Sequence, residues 1–64
     1  MLSLDDQLWI ERLFEAAESS RSITTWERGF MTNMKSRYDE YGEGMRISPK
    51  QRNMLQKVES KLGL

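Results

Sequence analysis

"ISPKQRNMLQKVESKL", residues 47–62, states in order how a helix begins, runs and stops. Ser48, Pro49 and Gln51 stand at the N-cap, first-turn and capping-box positions of one helix start. A serine oxygen there accepts from a first-turn N–H that has no acceptor inside the helix. Proline at the first position gives up an N–H that would be unpaired anyway. Met54, Leu55, Val58 and Leu62 then recur at helical spacing, and Gly63 supplies the stop. The segment predicts a helix over 49–62.

The same syntax appears upstream. In "TTWERGF", Thr24 is followed three residues later by Glu27, again a capping box, and predicts a helix over 25–41. Trp26, Phe30, Met34 and Tyr38 recur every fourth residue, with Met31 and Tyr41 beside them. Gly29 inside this pattern costs roughly 1 kcal/mol relative to alanine, which predicts a close approach by a neighbouring helix. "YGEG" ends the pattern, with Gly42 as a left-handed cap. Ser3 opens a first helix over 4–18, with Asp6 at the capping-box position and Asp5–Asp6 at the positive end of the helix dipole. Trp9, Ile10, Leu13, Phe14 and Ala17 form its apolar stripe, and Leu4 and Leu8 fall off it. A second apolar side on so short a chain predicts a partner or a dimer contact there. The helix fades in the polar run "ESSRS". No alternating strand-like segment stands out. The expected fold is all-α, a single domain of three helices over residues 1–64 with short connections. Its expected core includes Trp26, Phe30, Met34, Leu55 and Val58.

Size and composition bound the rest. A chain of 64 residues is one domain and buries only about 60% of the surface its unfolded form exposes. With no cysteine, disulfides, thiolate zinc sites and a cysteine nucleophile are excluded. With no histidine, the commonest general base and metal ligand is missing too. Regular helix packing or self-association is left to stabilise the fold, so a homo-oligomer is among the expectations. The first residues lack the basic start and continuous apolar core of a signal peptide, and no stretch approaches the length of a membrane span. The expected location is therefore cytoplasmic, without membrane partners.

Formal net charge is zero, but the halves differ. Residues 1–20 set five acids against Arg12 alone, a net of −4, and residues 21–64 carry a net of +4. Such a split suits either a basic binding face or pairing between neighbouring helices.

Little of this composition does chemistry. Asp39, Glu40 and Glu43 match no calcium-loop spacing and read as a solvated face. Ser48 neighbours Lys50 but is occupied as a cap, and there is no glycine-rich phosphate loop. The expectation is a protein that is not an enzyme and uses no metal or cofactor. Nucleic-acid binding is the sharper alternative. Arg46, Lys50, Arg52, Lys57 and Lys61 lie in or just before the third helix, where Gln51 and Asn53 near its start are suited to base edges. Overall neutrality argues against a dedicated DNA surface. So does the connection from Tyr41 to Ser48, longer than a helix-turn-helix allows.

"WERGF" (Trp26–Phe30) followed by "ISPKQ" (Ile47–Gln51) resembles a short helical segment of phage and phage-like proteins, W-E-x-G-F and then a [LI]-S-x-K-Q helix start. Such segments stand alone or as appendages of proteins in DNA replication, recombination and processing. The resemblance covers residues 24–62 and implies a context, phage DNA metabolism inside the host cell, with no catalytic residues to carry across. The acidic "DEYGEG" departs from the more basic or neutral spacers of those segments. Together these features predict a small phage-type accessory protein that binds a protein partner, one of the nucleic-acid machinery. Leu4, Leu8 and Trp9 are its candidate contacts. The alternatives are direct DNA or RNA binding through the basic residues of the third helix, and inhibition of a host enzyme.

Overall fold

The computed structural model describes residues 1–64 and contains three α-helices and no strand. They are α1 (Leu4–Ser19), α2 (Thr25–Tyr41) and α3 (Pro49–Leu62), with a 3₁₀ turn at Gly42–Gly44 after α2. The three predicted helices fall within a residue of these bounds because their starts are capped where the sequence placed the caps. At α2, Thr24 N–H donates to Glu27 Oε1 (2.8 Å) and Glu27 N–H to Thr24 Oγ1 (3.1 Å). At α3, Ser48 N–H donates to Gln51 Oε1 (2.9 Å) and Gln51 N–H to Ser48 Oγ (3.1 Å). At α1 only half of the box forms. Asp6 N–H donates to Ser3 Oγ (3.1 Å), while the Asp6 carboxylate turns to Arg52 on α3.

The helix ends differ more. Gly63 closes α3 in the left-handed conformation (φ 74°, ψ 24°). Gly42 also has positive φ, but its ψ of −130° lies outside the left-handed helical region, contrary to the simple cap expected of it. The chain rolls on into the 3₁₀ turn, where Met45 N–H donates to Gly42 C=O (3.1 Å). α1 has no basic residue in its own last turn. Arg28 of α2 supplies the missing donors, giving N–H groups to the carbonyls of Ala17 (3.0 Å) and Ser20. That satisfies acceptors a helix end otherwise leaves orphaned.

The core joins Ile10, Leu13, Phe14 and Ala17 of α1 to Met31 and Met34 of α2 and Leu55 and Val58 of α3. Three further buried residues, Leu2, Ile23 and Met45, come from outside the helices. Leu2 and Ile23 stand immediately before the N-caps Ser3 and Thr24, and the half-buried Ile47 stands before Ser48. Each helix is thus entered by an apolar residue that plugs into the core just ahead of the cap. Leu2 N–H also donates to Glu43 C=O (2.7 Å), pinning the N-terminal residues to the 3₁₀ turn.

The expected core is corrected at one position. Met34, Leu55 and Val58 are buried and Phe30 is half-buried, but Trp26 is 63% exposed. A four-residue spacing advances about 40° around a helix at each step, so Trp26 and Tyr38 stand about 120° apart. The buried side of α2 centres on Glu27, Met31 and Met34, which leaves Trp26 at its edge. Gly29 is corrected too. It lies exposed on the outside of α2, and a Cβ built there meets nothing within 4 Å. No neighbouring helix approaches it, and nothing within the fold explains a glycine at this position.

Candidate binding surfaces

Glu27 is the one charged side chain among the buried residues. Its Oε1 accepts from the Thr24 N–H and from Lys61 Nζ of α3, both at 2.8 Å. The Lys61 ammonium, then the Thr24 N–H, holds its carboxyl below the ordinary 4.5. Here a cap carboxylate serves also as an inter-helix ion pair. No buried side-chain nitrogen or oxygen lacks a hydrogen-bond partner, so every such group has an internal role. No three Asp or Glu side chains are grouped so as to hold a metal ion.

A second brace joins α1 to α3. Arg52 donates to both carboxylate oxygens of Asp6 (3.3 and 3.1 Å) and lies over the Trp9 ring, 5.6 Å from its centroid. Hydrogen bonding to Arg52 draws the Asp6 pKa below its ordinary 3.8. Trp9 Nε1 in turn donates to Glu59 Oε2 on α3 (2.7 Å). Opposite charges therefore pair between neighbouring helices. Of the five basic candidates, Arg52 and Lys61 are occupied inside the bundle, while Arg46, Lys50 and Lys57 stay exposed and make no ion pair. Lys61 shares a side of α3 with Lys50 and Lys57 by helical spacing, but its ammonium is engaged by Glu27.

The apolar candidates divide the same way. Trp9 is half-buried against the core, with its N–H engaged and one ring face covered, so it braces the bundle. Leu4 and Leu8 are 68% and 55% exposed. One turn apart on α1, they point away from the Ile10–Leu13–Ala17 stripe and form a small apolar ledge bordered by Glu11 and Glu15.

Two further surface features stand out, the first at Trp26, which the sequence allows as a large aromatic anchor but favours as core. Trp26 stacks flat on Phe30, ring centroids 5.9 Å apart and planes within 5° of parallel, and Tyr41 stands exposed at the far end of the same helix. Resolving the four-residue pattern into its 40° drift would have shown this outward turn. Between α1 and α2 runs a shallow cleft lined by Glu11, Glu15, Glu18 and Asp39, with Lys35 and Tyr38. Tyr38 spans it, donating its hydroxyl to Glu11 and resting its ring 6.0 Å from that of Phe14. That hydrogen bond to a carboxylate, with burial, pushes the Tyr38 pKa above its ordinary 10.0.

Fold and surfaces together define a small all-α three-helix domain with separate apolar, basic and acidic faces. No helix is long and apolar enough to cross a membrane. Comparison with protein-family models, curated proteins and solved structures finds no match.

Proposed function

We propose that the chain is a non-enzymatic binding module that grips a protein partner, in the setting of phage nucleic-acid metabolism that its W-E-x-G-F and I-S-x-K-Q segments suggest. The observation that carries the reading is the division of its side chains. Arg52 and Lys61 are drawn into ion pairs that hold the helices together, whereas Leu4 and Leu8 are left outside, opposite the core. Exposed leucines one turn apart are the anchors by which a helix engages an apolar groove, and the carboxylates beside them favour a basic rim on the partner.

The test is affinity capture from nuclease-treated cells of a phage-infected host, comparing the wild type with a Leu4→Asp/Leu8→Asp variant. Both positions are exposed, so the variant keeps its helical signal. The expected result is a partner retained after nuclease and lost with the double substitution. A partner that disappears with nuclease would favour nucleic-acid binding through Arg46, Lys50 and Lys57 instead.

A further inference from the structure

The outer face of α2 places its exposed side chains evenly about the middle of the helix. At about 100° per residue, Trp26, Phe30, Arg37 and Tyr41 fall within one sector of about 60°, some 80° from the buried side of the helix. Trp26 and Tyr41 are 63% and 59% exposed. Stacking on Phe30 holds the indole flat rather than leaving it to swing free. Arg37 is exposed and makes no ion pair within the chain. Along the axis these side chains are placed symmetrically about a point between Asn33 and Met34. Trp26 and Tyr41 lie about 11 Å to either side of it, and Phe30 and Arg37 about 5 Å.

We infer that this face is a self-association surface on which a second copy of the chain packs antiparallel, α2 against α2, about a two-fold axis. Such an axis sets residue i against j and j against i. Here it sets Trp26 against Tyr41 of the second copy, and Phe30 against that copy's Arg37, twice over. The first pairing joins two aromatic rings; the second brings a guanidinium to the stacked Trp26–Phe30 pair, whose exposed indole attracts it electrostatically. The two Arg37 charges stand about 10 Å apart along the helices, where salt screens them. This inference does not rest on the partner reading above, because the Leu4–Leu8 ledge belongs to a different helix.

The face is small. α2 has 17 residues and so is about 25 Å long and, with side chains, about 10–12 Å wide. That footprint falls short of the roughly 800 Å² per partner of a standard stable interface, which makes the dimer a weak one that forms only at high protein concentration.

Sedimentation equilibrium from about 10 μM to about 1 mM reaches the concentrations at which a weak dimer forms. The weight-average mass of the wild type should climb from the monomer's 7.6 kDa toward twice that value. Trp26→Ala and, separately, Arg37→Glu should hold it near the monomer value throughout, with helical circular dichroism unchanged because both side chains lie outside the core. A wild type that stays monomeric would overturn the inference, as would association that survives both substitutions. Association abolished only by Leu4→Asp/Leu8→Asp would overturn it too, by moving the contact to α1. Single-stranded DNA that quenches Trp26 in a chain that remains monomeric would assign the aromatic face to base stacking instead.

Discussion

Gly29→Ala separates two accounts of α2 that predict opposite signs. If the glycine admits a neighbouring helix, a methyl group there collides with it and the protein loses stability. In the structure Gly29 lies inside α2 with ordinary negative φ, on the outer side, and a Cβ at that position meets nothing within 4 Å. The substitution then removes only the extra freedom glycine has in the unfolded chain, a gain of about 0.8–1.0 kcal/mol in a helix interior. For a domain of this size each kcal/mol moves the midpoint by about 4–8 °C, so Tm should rise by about that much. Gly29 stands about 90° from the centre of the Trp26–Tyr41 face, so the comparison does not disturb dimer formation. Thermal unfolding followed at 222 nm, both proteins at equal concentration, reads the difference. A Tm that is unchanged or lower would refute the reasoning and restore a packed partner at Gly29.

Other substitutions and pH test the remaining parts of the fold. Leu55→Ala, at a fully buried position, should cost about 2–5 kcal/mol, whereas Trp26→Ala should leave the monomer's melting almost unchanged; equal losses would put Trp26 back in the core. Ser48→Ala should cost about 1 kcal/mol through its cap and leave partner capture intact once the protein is folded, and a stable variant that captured nothing would show Ser48 at a contact. Asp6 and Glu27 titrate below their ordinary 3.8 and 4.5 in the folded chain. The stability they contribute is present above those values and drains as pH falls through the lower folded ones. Tyr38 titrates above its ordinary 10.0, so its contribution is full below that pH and is lost as pH rises through the raised value. Tm measured against pH should form a plateau between the two limits and fall on both sides, and a Tm that climbed in acid would contradict the assigned pairs.

Helix positions were legible because their signals are local. Thr24–Glu27 and Ser48–Gln51 each satisfy backbone groups within one turn, so no knowledge of the tertiary fold is needed. Which side of α2 faces inward was less legible, since a Trp-Phe-Met-Tyr series at four-residue spacing drifts across the buried boundary as it runs. Leu2, Ile23 and Met45 were missed as core residues because periodicity says nothing about single apolar residues in connections. An apolar residue directly before each Ser or Thr cap was the available clue. Charge pairing depends on residues far apart in the chain. Asp6 with Arg52 and Glu27 with Lys61 become neighbours only when α3 lies against α1 and α2.

That the chain engages protein rather than nucleic acid is tested most directly by titrating labelled duplex and single-stranded DNA at several salt concentrations. Of the five basic residues in or just before α3, Arg52 and Lys61 are occupied within the bundle, which leaves Arg46, Lys50 and Lys57 to meet phosphates there. At roughly −0.9 per contact, the slope of log affinity against log salt for duplex DNA bound through that helix can then reach only about −3. The predicted result is weak association, indifferent to sequence and gone at physiological salt. Submicromolar binding at that salt, abolished by Arg46→Ala, Lys50→Ala and Lys57→Ala in a protein that stays folded, would contradict it.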